Sequence, residues 1–368
     1  MNFTRTFGTL FISVGGWLLA VGLYLLIRFY GTHDTMDWAT GPAAMIAAWL
    51  VSGSVLGTAY WITSGISDHP AFRKRSYGFL ILFRTLVMVT GLVLVAAVTR
   101  LLAVVQGTAT IQEFGTTFLA RLTSKPMLVA TLYVAIVTAV FSFFQQMNRM
   151  IGPRVLRNLV LGKYRTPKNE PRIFMFLDLK GSTALAERLG HETFCRLIQD
   201  CFRDLTDSAI RQQVEIYQYV GDEAILTWRP AEGLADCNCL RVFFDYQQVL
   251  GQRAAYYEAT YGAVPRFKAG ANFGPVTTAE VGIIRRDIAY LSDVLNTASR
   301  IQGLCNEYDR DLLIAGPLHE ALKLPPDLRF DHVGTTALRG RDESVEIYAV
   351  EQAQGQKGEH WSTQLRSM

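Results

Sequence analysis

The stretch Ile173-Phe174-Met175-Phe176-Leu177-Asp178-Leu179-Lys180-Gly181-Ser182-Thr183 decides how the second half of this chain folds. An apolar run leads into an aspartate and then into a glycine, which reads as a buried strand ending in a turn. Gly181 supplies the backbone freedom for that turn and leaves the Asp178 carboxylate and nearby backbone N–H groups open to a ligand. A second segment, Tyr217-Gln218-Tyr219-Val220-Gly221-Asp222-Glu223-Ala224-Ile225-Leu226, repeats the device around Asp222. Two such carboxylates facing each other form a hard-oxygen site suited to Mg²⁺ carrying phosphates. Further on, Asn296 and Arg300 stand four apart, on one face of a predicted helix. Donors of that kind stabilise charge on a phosphoryl group in flight.

Outward from Asp178, the pattern predicts a strand over 172–178, a helix over 183–210 and strands over 213–219 and 223–228. A helix over 233–257 and strands over 266–273, 276–281 and 286–291 follow, then a helix over 293–305. Short strands around 312–315, 328–334 and 345–350 close the chain. This order predicts an α+β sandwich, with helices on one face of a mostly antiparallel sheet.

The first half is different. Four apolar stretches, about 9–30, 41–63, 79–104 and 127–147, reach the length of roughly 20 residues that a bilayer span needs. The first is too long for a cleaved signal peptide and lacks a clean cleavage site. Arg73-Lys74-Arg75 follow the second stretch, and Arg149, Arg154, Arg157 and Lys163 follow the fourth. Asp34 and Asp37 mark the first connection, and Glu113 is balanced by Arg121 and Lys125 in the third. The positive-inside rule then places both termini in the cytoplasm, with the chain multi-pass in the inner (plasma) membrane. Arg84 and Arg100 either snorkel from the ends of the third span or turn one guanidinium into the bundle toward a ligand or partner. Trp17, Trp38, Trp49 and Trp61 serve as interface anchors or as packing. With no chain of intramembrane acids and no paired broken helices, this half reads as an anchor or sensor rather than a transporter.

Residues 148–170 form a basic bridge in which Ile151, Val155, Leu156, Leu159 and Val160 repeat near helical spacing. It reads as an interfacial helix on anionic lipid or as a coupling helix that pairs with its copy. The domain plan is thus a membrane anchor or sensor over 1–147, a linker helix over 148–170, a catalytic domain over 171–352 and a tail over 353–368. The net charge of +4 and the absence of a basic face away from the membrane segments argue against nucleic acid as a partner. Five cysteines, an odd number without framework spacing, predict reduced thiols.

Four motifs now occur in order: Phe176-Leu177-Asp178-Leu179-Lys180-Gly181-Ser182-Thr183, Val220-Gly221-Asp222-Glu223-Ala224, Gly270-Ala271-Asn272-Phe273-Gly274-Pro275-Val276 and Ser292-Asp293-Val294-Leu295-Asn296-Thr297-Ala298-Ser299-Arg300. Together they resemble the class III adenylate/guanylate cyclase catalytic domain over roughly 170–350, here behind a four-helix membrane bundle. The resemblance implies a ferredoxin-like α+β domain and two Mg²⁺ or Mn²⁺ ions held by Asp178 and Asp222 with the Leu179 carbonyl. It implies that Asn296 orients the ribose and that Arg300 stabilises the α-phosphate as pyrophosphate leaves. Lys180, Gly181, Ser182 and Thr183 would cradle the triphosphate, with Arg339 or Arg341 on its terminal phosphates. A single catalytic domain per chain implies a head-to-tail homodimer with sites shared between subunits.

The family's base-reading positions correspond here to Gln218 and Ala289, with Ser292 nearby. Adenylate cyclases often carry Lys and Asp or Thr at the two positions, guanylate cyclases Glu and Cys. An amide presents both a donor and an acceptor, so either ATP or GTP fits this pattern. The leading expectation is a membrane adenylate cyclase making 3′,5′-cyclic AMP, against a guanylate cyclase or a silent cyclase-like receptor. Gly221-Asp222-Glu223 also echoes a diguanylate cyclase signature, but Val220, Ala224 and the Asn296/Arg300 helix do not fit it.

Overall fold

The computed structural model describes residues 3–31, 42–67, 72, 75–105, 120, 122–284, 286–337 and 344–353. The chain divides into two compact units, Met1–Arg157 and Asn158–Met368. The charged connections at 34–38 and 113, with Arg73, Lys74, Arg121, Arg339, Arg341 and the tail after 353, lie outside the described residues.

The first unit holds α1 (Phe3–Gly31), α2 (Pro42–Ser67), α3 (Tyr77–Val105) and α4 (Lys125–Ile151). Among the described residues, the stretches Gly8–Ile27, Tyr77–Val98 and Lys125–Met150 are long and apolar enough to cross a membrane. Several side chains at the start of α2, the remaining expected span, lie outside the described residues. Trp17, Leu56, Tyr60, Met88 and Val134 form the core of the unit. Gly53 and Gly57 let α2 close onto α1, because a Cβ at Gly57 would stand 2.5 Å from the Val14 Cα. Arg84 is buried, and its Nη1 donates to Gln145 Oε1 at 2.6 Å. Its guanidinium therefore turns into the bundle rather than snorkelling. The Trp49 indole N–H donates inward to the Leu18 carbonyl at 2.7 Å, so this tryptophan serves packing.

Gly152, at φ 93, ends α4, and the short helix α5 (Pro153–Val160) begins at the next residue. Gly162, at φ 61, follows it.

The second unit is built on an eight-stranded mixed sheet. Its elements are β1 (Lys168–Leu179), α6 (Ser182–Leu189), α7 (His191–Arg211), β2 (Glu215–Val220), β3 (Glu223–Trp228), α8 (Pro230–Gly233), α9 (Asn238–Gln252), α10 (Ala254–Tyr261), β4 (Phe267–Val281), β5 (Asp287–Leu291), α11 (Asp293–Leu304), β6 (Leu312–Ala315), α12 (Gly316–Ala321), β7 (Leu328–Ala337) and β8 (Ser344–Gln352). The strand order is β2-β3-β1-β4-β6-β8-β7, with β5 paired to β4. Every pairing is antiparallel except that of β4 with β6.

β1 runs through the middle of the sheet and is covered on both sides. Ile173, Met175, Leu177 and Leu179 meet the core under α7, α9 and α12, while Phe174 and Phe176 pack with Val294 and Ala298 of α11. The expectation of helices on one face is thereby corrected, because α11 packs on the other. Glycine makes this possible. A Cβ at Gly270 would lie 2.1 Å from the Gln302 backbone N, and one at Gly274 would lie 2.8 Å from Val294 Cγ2.

Four predicted elements are redrawn. The long helix after Thr183 breaks at Gly190, at φ 72, into α6 and α7. The helix expected over 233–257 becomes α8, a 3₁₀ turn, α9 and α10, with Asp236 and Cys237 at φ 48 and 57. The strands predicted on either side of Gly274-Pro275 are one strand, β4. Pro275 is tolerated because it faces Pro171 of β1, between the parts of β4 that pair with β6 (269–271) and β5 (277–281). All five cysteines are free, and burial pushes the thiols of Cys201 and Cys305 up to about 12.

Candidate active site

Asp178 is the penultimate residue of β1 and lies directly opposite Glu223 of β3 on one side and Lys268 of β4 on the other. Asp222 occupies the β2–β3 turn beside Gly221, whose φ of 61 closes that turn. The hairpin thus brings the second aspartate to the end of the strand next to the first. Asp178 points to the face covered by α11, where Gln302 Nε2 donates to its Oδ2 at 2.8 Å. Lys268 Nζ stands 3.5 Å from the same oxygen.

The site is short of positive charge. Burial, and then the charge of Asp222, push the Asp178 carboxyl above its ordinary value, against Lys268 and the Gln302 hydrogen bond. Glu223 is pushed up to about 7 by burial, then by Asp178 and Asp222, with Lys268 opposing. One carboxylate oxygen, Asp222 Oδ2, is buried without any hydrogen-bond partner. Such an atom is costly unless something electropositive meets it. Two aspartates, one with an orphaned oxygen, fit a hard divalent cation that takes its other ligands from phosphates. Among the described residues no group of three or more His, Cys, Asp and Glu forms a closed metal cage.

Leu179 ends β1 with its side chain buried, one residue from Asp178. The phosphate cradle is only partly free. The Lys180 N–H donates to the Arg266 carbonyl at 2.8 Å, and the Lys180 ammonium pairs with Asp311. Gly181, at φ 67, precedes α6 without a side-chain cap, so the first-turn amides from Ser182 and Thr183 onward have no intrahelical partner.

Asn296 and Arg300 sit on α11. Val294, Thr297, Ala298, Ile301 and Gln302 are its buried residues and define its sheet-facing side. Asn296 is exposed and Arg300 half-buried on the opposite side. Asn296, Ser292, Asp293, Asn169 and Thr277 line an open cleft of about 450 Å³. One helix therefore reaches the aspartate pair through Gln302 and presents Asn296 and Arg300 away from it. Gln218 is an exposed residue of β2, and Ala289 is half-buried in β5 opposite Ala279. The Ser292 hydroxyl caps α11, accepting from the Val294 N–H at 3.2 Å and donating to the Pro275 carbonyl at 2.8 Å. Those two bonds fix the hydroxyl at the start of the helix.

Three participants were not expected from sequence: Gln302, Lys268 and Glu223. Glu223 carried a signal, because it adjoins Asp222 in a Gly-Asp-Glu turn. Gln302 and Lys268 are revealed only by the packing of α11 and β4 against β1.

Known proteins similar to this chain match it chiefly in its second half. The family model for the adenylate and guanylate cyclase catalytic domain matches residues 166–352. Adenylate cyclase 2 of Rhizobium meliloti (strain 1021) is 32% identical over 225 residues, which cover 61% of this chain and 62% of that protein. An adenylate cyclase of Anabaena cylindrica is 25% identical over 207 residues, covering 55% of this chain and 40% of that protein. The chain thus spans less than two thirds of the length of these curated relatives. A solved bacterial light-regulated adenylyl cyclase shares the fold with a TM-score of 0.54 at 20% identity, over 64% of this chain and 68% of that one. By the family match over half its length, the chain belongs to the adenylate and guanylate cyclase catalytic domain family.

Proposed function

We propose that this chain is an integral-membrane adenylate cyclase that converts ATP to 3′,5′-cyclic AMP and pyrophosphate in a head-to-tail homodimer. The observation that carries the reading is the Asp178–Asp222 pair, with its buried, unpartnered Asp222 Oδ2 at the end of β1. The named activity of the two curated relatives favours ATP over GTP.

Asp178, Asp222 and the Leu179 carbonyl would hold two Mg²⁺ or Mn²⁺ ions. When bound, such ions neutralise phosphate charge and lower the pKa of a coordinated hydroxyl. The bond formed joins the ribose 3′-oxygen to the α-phosphorus, and the bond broken releases pyrophosphate. Gln302 holds Asp178 in place through its hydrogen bond, and Lys268 tempers the negative potential. The free amides at Ser182 and Thr183 receive phosphate oxygens at the start of α6. Asn296 orients the ribose, and Arg300 stabilises the charge that develops on the α-phosphate. Gln218 and Ala289 face the purine edge, and Arg339 or Arg341 engages the terminal phosphates.

Because Asn296 and Arg300 project from the side of α11 opposite the aspartates, the reading requires a second copy whose α11 completes the site. All four long helices of the first unit span the inner membrane, with both termini cytoplasmic, and α5 joins this anchor or sensor to the ferredoxin-like cyclase domain. A ligand or partner of the membrane half remains part of the proposal.

The test uses the purified full chain with Mg²⁺ or Mn²⁺, ATP and GTP in parallel, and chromatographic separation of products. Cyclic AMP is the expected main product, and Asp222→Ala abolishes it while leaving the dimer intact. Turnover that survives this substitution refutes the metal assignment, and a cyclic GMP excess transfers the reading to guanylate cyclase.

A further inference from the structure

Near the other end of β1 from Asp178, the chain buries an ion-pair cluster to which the proposed reaction assigns no role. Its centre is Arg172, 1% exposed. Arg172 Nε donates to Glu170 Oε1 at 2.9 Å, and its Nη1 donates to Glu215 Oε2 at 2.8 Å. The guanidinium carbon lies 5.2 Å from the centre of the Tyr290 ring.

Glu170 shares β1 with Arg172, but Glu215 and Tyr290 belong to two strands that do not pair with each other. Glu215 opens β2 and Tyr290 lies in β5, while β3, β1 and β4 stand between them in the sheet. Side chains bridge the gap. Tyr217 and Tyr290 meet edge to face at 5.0 Å, and both pack on Phe174, at 6.2 and 5.2 Å. Gln218 follows Tyr217 and Ala289 precedes Tyr290. One buried guanidinium therefore ties together the two strands that carry the purine-facing positions.

The cluster also reaches the segment that enters this unit. The Tyr164 hydroxyl donates to Glu170 Oε1 at 3.2 Å, and Lys163 Nζ lies 3.7 Å from Glu170 Oε2. Tyr164 is 3% exposed, and its carbonyl accepts the Glu280 N–H of β4 at 2.9 Å. The Lys163 N–H in turn donates to the Asn158 carbonyl of α5 at 2.9 Å. Burial pushes the Glu170 carboxyl up, but Arg172 and Lys163 more than offset this and hold it below its ordinary value. The pairs thus stay charged. Buried ion pairs add little net stability over apolar packing of the same shape. A planar guanidinium fork adds geometry instead, because it holds its carboxylates at fixed angles.

We infer that Arg172 is a positioning residue for purine selection, setting β2 against β5 and, through Glu170 and Tyr164, making that spacing answer to the segment that follows α5. Arg172 touches no reacting atom. The inference rests on the assignment of Gln218 and Ala289 to the purine edge.

Two variants of the full chain test it. Arg172→Lys keeps the charge and loses the fork. Tyr164→Phe deletes one hydroxyl and keeps the ring and the backbone hydrogen bond. The ratio of kcat/KM for ATP to that for GTP is expected to shift about fivefold or more in Arg172→Lys, and about twofold in the same direction in Tyr164→Phe. Amide hydrogen exchange quickens in both at residues 215–220 and 287–291 and is unchanged at 312–315. A purely structural Arg172 lowers both kcat/KM values equally and leaves their ratio alone. An unchanged ratio in both variants, or exchange in β2 and β5 that matches the parent, overturns the inference. Should the parent turn over neither nucleotide, the proposed function fails instead, and the exchange pattern still decides whether Arg172 sets the two strands.

Discussion

Replacing Asp222 with asparagine should remove the activity and yet stabilise the metal-free protein. The side chain keeps its shape and loses one of the three carboxylates gathered at the end of β1. Glu223, at about 7 against an ordinary 4.5, records its burial first and that crowding second. A carboxyl held protonated in the folded chain but ionised in the unfolded one favours folding less as pH rises. The loss begins near pH 4.5, grows through about pH 7 and is flat above it. The full shift converts to an upper bound of ~3 kcal/mol at 1.36 kcal/mol per pH unit. Burial and Asp178 supply more of that shift than Asp222 does, and Glu223 is half-buried with Lys268 close, so removing Asp222 relieves at most about 1 kcal/mol. For a unit of this size that is a rise of about 2–4 °C in melting temperature. The assay is thermal melting of the full chain in chelator at low ionic strength, at pH 5 and pH 8, before and after Mn²⁺. Asp222→Asn should melt above the parent at pH 8, converge with it at pH 5 and lose the Mn²⁺-induced rise. A variant that melts below the parent at pH 8 and still responds to Mn²⁺ would show that the cluster is neither repulsive nor a cation site.

Other outcomes follow from the packing of α11. Gly270→Ala forces a Cβ against the Gln302 backbone, 2.1 Å away, where neither strand nor helix yields easily. A loss of about 3 kcal/mol and roughly 5–10 °C in melting temperature is expected, read by calorimetry. Gln302→Leu keeps the volume but takes the donor from Asp178, and the Mn²⁺ concentration giving half-maximal activity should rise about 10-fold or more. Asp178→Ala mixed with Arg300→Ala should regain about a quarter of parental activity, since half of randomly paired dimers hold one whole site of two. No recovery in verified mixed dimers would count against shared sites.

Much of the architecture around the two aspartates was legible because it is local. The apolar run into Asp178 and the Gly-Asp turn at 221–222 each encode a strand end, and the sheet brings those ends together. The breaks in the helices were harder to see. The apolar period continues across Gly190, and only its φ of 72 reveals the corner. Pro275 gave the opposite error, since a proline reads as a strand breaker unless the free edge beside it is known. The second helical face depends on Gly270 and Gly274, whose absent side chains become a signal only once α11 lies over them. Gln302 and Lys268 stayed hidden for the same reason, because their part in the site is created by tertiary contact.

One feature of α11 extends beyond a single catalytic centre. In the proposed pair of subunits, this rod would grip its own aspartate through Gln302 and lend Asn296 and Arg300 to the neighbour. A nucleotide that tugs on either side of the rod displaces the other, so the twin pockets cannot fill independently. Saturation curves for such an assembly should depart from a simple hyperbola, and a half-loaded dimer becomes a distinct species with its own affinity.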